Sequence, residues 1–382
     1  MRVGAFMGAY FASIALTAFM PLFYADRGLS AEDIGQVLGT ATFLRILSGP
    51  GWGNAADRFG RRRPVLLLAG LLATSMALLF LTAHGFWAIA LIAAGQGIAA
   101  SAINPLVDSL ALALAREGKM EYAPVRATGS ITFMLTTAAA GWFVNAWGSW
   151  LVPALIAAGY AVATGFSRLL PEAGTPPAAA RSWSGAALLR NRGFRLTVAG
   201  SALIHSAHAA YYGFAALLWR SQGLSDSTIG LLLAEAIVVE IALFLWGKKF
   251  IERLGPAGLT AGAALGSIVR WGALAAEPSV AVLAAVQLLH AATFAMQHLS
   301  AMTTLSRAVP PERAATAQAL HNAMGFGIPN GLMMLMSGWL YQHHGALVFA
   351  AMAAVGGAGL VLVRPLARLS LAGAPGAGHN RA

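Results

Sequence analysis

Few of the 382 residues can do acid–base work: 14 are Asp or Glu and 25 are Lys or Arg. Several of these stand inside long apolar runs, namely Arg45, Asp108, Arg126, Glu235, Glu240 and Arg270, with His205, His208, His290 and His298 among them. An ionisable side chain within a membrane-spanning helix costs roughly 2.5–3.5 kcal/mol on insertion scales, so each marks a substrate, ion or proton path by default. Arginines set against carboxylates in this way suit a solute with a carboxylate on an apolar body. A carboxyl group that alternates between an apolar setting, which favours its neutral form, and an arginine, which favours its ionised form, takes up and releases a proton. If protons are coupled to transport, Glu240 or Asp108 is the better carrier. Glu235, nearer the outer end of its helix, is either another or a rim residue.

His205 and His208, with Tyr211 and Tyr212, place polar tips three to four residues apart on neighbouring helix faces. They are either a substrate-facing cluster, with His208 and Tyr212 as contacts, or ordinary hydrogen bonding between helices. His298 and His321–Asn322 fit the second reading, and His343–His344 fall in an outer loop. A metal site needs histidines and carboxylates at settled spacing, which these do not have. The chain has no Cys, which excludes disulfides, thiolate metal sites and thiol catalysis. Phosphate loop, HExxH and nucleophile elbow are all missing. The reading is no enzyme, no cofactor, no metal and no ATP.

The elements that must hold these groups are apolar. Hydrophobic residues make up 58% of the chain and charged ones 10%, against about 25% charged in soluble domains. A spanning helix needs about 20 apolar residues. Twelve candidates follow in order: 4–24, 33–55, 64–83, 86–114, 125–147, 149–169, 195–219, 227–249, 257–276, 279–306, 315–341 and 345–366. The net charge of +11 would suggest nucleic acid in a soluble protein, but here the basic residues fill alternate loops as orientation signals. Arg58, Arg61–Arg63, Arg116, Lys119, Arg181, Arg190, Arg192, Arg195, Lys248, Lys249, Arg253, Arg307, Arg313, Arg364, Arg368 and Arg381 lie on one side. Only Arg27 and Arg220 lie on the other. Both termini are therefore expected in the cytoplasm, with the chain multi-pass in the inner membrane. The first apolar run lacks a small-x-small cleavage site and is read as a retained helix. Phe59, Trp87, Trp150, Trp219 and Trp246 near helix ends read as an interfacial belt.

The chain repeats itself. Gly28-Leu-Ser-Ala-Glu-Asp-Ile-Gly35 matches Gly223-Leu-Ser-Asp-Ser-Thr-Ile-Gly230 at an offset of 195, and Gly141-Trp142 with Gly148 matches Gly338-Trp339 with Gly345 at 197. Two six-helix halves related by an axis along the membrane normal are implied, with the working site at midplane. The expected organisation is a bundle over 1–170, a Pro/Ala-rich linker over 171–194, a second bundle over 195–366 and a tail over 367–382. Arg45 plus 195 gives Glu240, so opposite charges occupy equivalent depth. Either they line the cavity, or each neutralises a local partner and joins helices.

Between the second and third runs stands Gly53-x-x-x-Asp57-Arg58-x-Gly60-Arg61-Arg62. This resembles the loop 2–3 signature of the major facilitator superfamily, and with twelve helices and the repeat it implies that all-α membrane fold. Ser206–Phe214, Val239–Phe244, Val269–Gly272 and Gln287–Phe294 resemble the branch of 3-phenylpropionate permeases, related to the lactose and nucleoside proton symporters. The resemblance implies that Asp108 and Arg126 form a binding pair, and that Arg270 and His290 match positions of a proton-coupling network. That network's carboxylate, one turn beyond the histidine, is replaced by Thr293. Arg126 as a helix-start anchor is the alternative. The expected function is alternating-access proton symport of an aromatic or other small carboxylate by a monomer. The expected contacts are Asp108, Arg126, Arg45, Arg270, His208 and Tyr212, with Glu240, His290 and Glu235 carrying protons. Gly53, Asp57, Arg58, Gly60 and Arg61 form the gating loop. A sugar or nucleoside symporter, a xenobiotic exporter and a non-transporting sensor are the other readings.

Overall fold

The computed structural model describes residues 2–171, 186–310 and 313–372, so most of the expected linker (172–185) and of the expected tail (373–382) lies outside the described residues. The described residues form helices and no strand. In chain order these are α1 (Arg2–Asp26), α2 (Ala31–Phe59) and α3 (Arg62–Leu79), then α4 (Phe86–Arg116). α5 (Tyr122–Trp147) and α6 (Leu151–Ser167) follow. A short helix, Ala186–Arg190, leads into α7, made of Arg192–Ser206 and Ala209–Ser221. Then come α8 (Asp226–Trp246), α9 (Lys248–Ala275) and α10 (Val280–Ala308). α11 comprises Ala314–His321, Asn322–Gly327 and Ile328–His344; α12 runs from Val348–Gly357 through Ala358–Leu362 to Val363–Ala372.

Among the described residues, seven apolar stretches are long and apolar enough to cross a membrane unaided. The others fall short for physical reasons. α6 has 17 residues, α7 is interrupted at Ala207–His208, and the interiors of α2 and α9 are made less apolar by Arg45 and Arg270 and by many Gly, Ser and Thr residues.

The internal repeat is visible in the backbone. Positive φ recurs at Gly28 and Gly223, at Gly60 and Gly255, and at Gly148 and Gly345. Two residues after the first pair, Ser30 and Ser225 each accept a hydrogen bond from the backbone N–H three residues on, at 3.1 and 3.2 Å. Such N-caps satisfy amide donors that the first helical turn leaves unpaired. The same turn-and-cap device thus starts α2 and α8.

One compact unit holds Met1–Ser182, Ala209–Glu235 and Gly331–Val348. Within it α1 packs on α5 and α6, α2 on α4, and α3 on α6. Lipid removes the hydrophobic drive between helices, so contact depends on small residues that let backbones approach. The repeat glycines do this crosswise. A Cβ added at Gly35 would lie 2.7 Å from Gly338 Cα, and one at Gly141 would lie 3.0 Å from Gly230 Cα and collide with Asp226 O. α2 therefore crosses α11, and α5 crosses α8, with no room for a side chain. Beside these crossings Arg220 pairs with Asp226 at 2.8 Å and with Asp26 at 3.2 Å, and Ser149 donates to Asp26.

The second unit holds Trp183–His208, Ala236–Asn330 and Phe349–Ala382. Its apolar core includes Ile204, Leu259, Ala263, Ala264 and Met296. Two of its helices become π-helical for one turn each. α10 is π-helical over Ala291–Met296 and α11 over Asn322–Gly327, each starting directly after a buried histidine, His290 or His321.

Several expectations change. The Gly53–Arg61 signature is largely helical, because α2 continues to Phe59 and only Gly60 and Arg61 make the turn. Gly60 caps the helix at φ 61°, its N–H on Asp57 O at 3.2 Å. Likewise α9 already begins at Lys248, kinked at Gly255–Pro256. His343 and His344 close α11 rather than lying in a loop. Trp219 is fully buried, stacked edge-on against Tyr211, and is no belt residue.

Candidate functional site

In the first unit Asp108 and Arg126 do meet, at 4.0 Å and both part-exposed. Tyr122 opens α5 one turn before Arg126, so both project on one helix face, and its hydroxyl donates to Asp108 at 3.4 Å. Arg126 also donates to Ser130 at 3.4 Å, and its guanidinium lies 4.5 Å from the centroid of the Phe11 ring. Gly129 leaves the space that Phe11 fills: a Cβ there would come within 2.6 Å of the ring. At 4.0 Å from Nε the carboxylate does not form the bidentate pair that a guanidinium fork can make.

Arg45 is exposed midway along α2, within electrostatic range of Tyr10 and Tyr160. Tyr212 is exposed on α7 beside Tyr211, ring centroids 5.6 Å apart. Glu235 is half-buried on α8 in this unit. Gly53 is half-buried, while Asp57, Arg58, Gly60 and Arg61 are exposed at the end of α2.

The second unit gathers the remaining expected residues around one cation. Arg270 is fully buried on α9. It donates to Gln287 Oε1 at 2.9 Å, His290 Nδ1 at 3.0 Å and Thr293 Oγ1 at 3.1 Å, all on α10. His290 Nε2 stands 3.3 Å from Glu240 Oε2 on α8, and His208 Nε2 is 3.2 Å from Thr293 Oγ1. Donor chemistry assigns the protons. A guanidinium has no acceptor, so His290 Nδ1 must hold its lone pair and Nε2–H donates to the Glu240 carboxylate. The carbonyl of Ile204 can only accept, so His208 Nδ1–H donates to it at 3.2 Å. His208 Nε2 is then the acceptor facing the Thr293 hydroxyl, whose one proton is shared with His290 O at 3.4 Å.

The outcome is a directed chain from Arg270 through neutral His290 to Glu240, with a branch through Thr293 to His208. Such a chain fixes ring orientation and communicates charge between a buried cation and a part-exposed carboxylate. Thr293 does not vacate the network on losing the carboxylate expected there; it becomes the branch point, and Glu240 supplies the negative charge from another helix.

Sequence reasoning missed Gln287 as a partner of Arg270. The signal was its place three residues before His290, on the same α10 face. It also missed the Asp26–Arg220–Asp226 group, for which an arginine and an aspartate flanking the Gly223 turn were the available hint. His205 is buried, its Nε2 3.2 Å from Phe294 O. Among the described residues no group of three or more His, Cys, Asp or Glu side chains could hold a metal ion.

The model of the MFS_1 like family matches residues 2–351. The chain is 30% identical over 333 residues to the probable 3-phenylpropionic acid transporter of Escherichia coli (strain K12), covering 86% of this chain and 87% of that one. It is 28% identical over 338 residues to the maltose permease of Geobacillus stearothermophilus, covering 87% and 85%. Among solved structures it resembles the nucleoside transporter NupG, with TM-score 0.79, 17% identity, and 97% and 98% of the two chains covered. The chain therefore belongs to the MFS_1 like family and is a multi-pass membrane transporter of the major facilitator type.

Proposed function

We propose that the protein is a proton symporter for small carboxylates with an aromatic body. The observation that carries this reading is the Arg270–His290–Glu240 chain. Glu240 balances the fixed charge of Arg270 through a neutral histidine. A proton on Glu240 adds one positive charge to this buried cluster, and burying uncompensated charge is costly. An anion offsets that charge, so proton and carboxylate favour each other's binding, as reciprocal linkage requires.

The guanidinium groups offered to a carboxylate are Arg126, through its N–H edge while Phe11 covers one face, and Arg45. Asp108 competes for Arg126 when no substrate is bound. The 30% identity to a phenylpropionic acid transporter agrees with a substrate that has one carboxylate and one ring. In this reading the protein works as a monomer in the inner membrane, with both termini cytoplasmic. The halves 1–170 and 195–366 alternate, and Gly53–Arg61 acts in gating. His208 and Tyr212 are further substrate contacts, and Glu235 a second proton site.

The 28% identity to a maltose permease favours a second reading, sugar symport, in which Asp108 and Arg126 bind hydroxyl groups. Uptake of aromatic acids, sugars and nucleosides into proteoliposomes, with and without a proton gradient, separates the two. Gradient-driven accumulation of aromatic acids is expected. Accumulation of sugars alone favours the second reading, and accumulation of nothing sinks both.

A further inference from the structure

Two phenylalanines stand where α10 and α11 leave α-helical geometry. Phe294 lies in the π-turn Ala291–Met296, and Phe326 in the π-turn Asn322–Gly327. A π-turn inserts one extra residue and re-aims the side chains of that stretch, and such turns concentrate at functional sites. Here both turns bring a ring to the same place. Phe294 and Phe326 meet edge-to-face, with centroids 6.5 Å apart and planes at 88°. Both rings are half-buried rather than closed into the core.

Phe294 also stacks on the His290 imidazole, with centroids 5.4 Å apart and planes at 8°. Nε2 of that imidazole faces Glu240. His205 lies 5.1 Å from the Phe294 ring and 5.5 Å from the Phe326 ring, centroid to centroid. An aromatic corner therefore stands beside the carboxylate that ends the Arg270 chain. Packing alone does not call for this arrangement. Phe194, Phe214 and Phe349 are fully buried in ordinary α-helical turns, and no π-turn is needed to place them.

We propose that Phe294 and Phe326 form an aryl subsite that selects a flat aromatic ring over a saturated ring of similar size and equal charge. This rests on the carboxylate symport reading and specifies how the body of the substrate is recognised. A saturated ring offers similar apolar area but no quadrupole. Aromatic pairs gain beyond area burial by an amount that corresponds to a factor of roughly three to ten in affinity.

The test compares uptake of 3-phenylpropionate and 3-cyclohexylpropionate by the full chain in proteoliposomes under a proton gradient. The parent protein is expected to show a KM roughly three- to tenfold lower for the phenyl acid. Phe294→Leu and Phe326→Leu should each lose that preference by raising KM for the phenyl acid alone, while Phe294→Tyr keeps it. The ratio is taken within one preparation, so a smaller folded fraction does not alter it. Equal KM values in the parent, or an unchanged preference in both leucine variants, overturn the subsite. Accumulation of neither acid by the parent is the different failure, that of the symport reading itself.

Discussion

Arg270 Nη1 points at His290 Nδ1 over 3.0 Å, and this contact leaves the histidine one arrangement of its proton. The proton sits on Nε2 and is shared with Glu240. Protonating the ring would set two donors against each other at Nδ1. The histidine is therefore a fixed connector, and Glu240 is the group proposed to carry the proton. In spectra of histidine labelled with nitrogen-15, the His290 ring should show the neutral Nε2–H form. An imidazolium signature would sink the assignment.

Removing the carboxylate tests the same relationship from the other end. Glu240→Gln keeps shape and one hydrogen bond but cannot ionise. Solute should equilibrate across the membrane without accumulating under a proton gradient, while exchange of labelled for unlabelled solute continues. Unchanged concentrative uptake would rule Glu240 out as the proton carrier.

The connector can be tested by chemistry rather than size. The carboxamide of His290→Gln supplies an acceptor oxygen and N–H donors, so it can replace both hydrogen bonds of neutral histidine, whereas leucine can replace neither. His290→Leu leaves buried polar groups without a partner, at a cost of about 1–3 kcal/mol. His290→Gln should retain most transport and His290→Leu should lose about tenfold or more in Vmax/KM. Equal losses would mean that the hydrogen bonds are irrelevant there.

In the first unit Arg126 combines a charge with a planar face on Phe11. Lysine keeps the charge but loses the fork and the stacked plane. Arg126→Lys is expected to raise KM for a carboxylate solute by roughly three- to tenfold, the scale of a lost cation–π contact, with little change in Vmax. A KM unchanged within error would remove Arg126 from the binding machinery.

The crossings at Gly35–Gly338 and Gly141–Gly230 have backbone in van der Waals contact. Gly35→Val or Gly141→Val should cost about 1–3 kcal/mol against that packed arrangement, as overpacking does. The chain lacks Cys, so spin labels on cysteines introduced at Glu32 and His343, both in the first unit, can report it. A shift to longer distances is expected in Gly35→Val, whose crossing these labels flank. An unchanged distribution would mean that the crossing tolerates a side chain.

Much of this protein was legible in the sequence because lipid imposes simple rules. Every backbone polar group must be satisfied within a helix, so long apolar runs could only be helices. The glycine and serine spacing of the repeat named the turns that recur at Gly28 and Gly223. Isolated charges in apolar runs marked Asp108, Arg126, Glu240 and Arg270 as groups needing partners. Those rules stop at the level of single helices. Whether Arg45 or His290 would answer Glu240 depends on helix rotation, and the structure gives that place to His290. The two π-turns shift the register of α10 and α11 within one turn, which no 3.6-residue periodicity encodes. The crosswise pairing of the repeat glycines likewise required the two halves to be packed. Sequence determined which residues could not remain alone, and tertiary packing decided which partner each received, because hydrogen bonds and backbone contacts act over 3 Å in space regardless of distance along the chain.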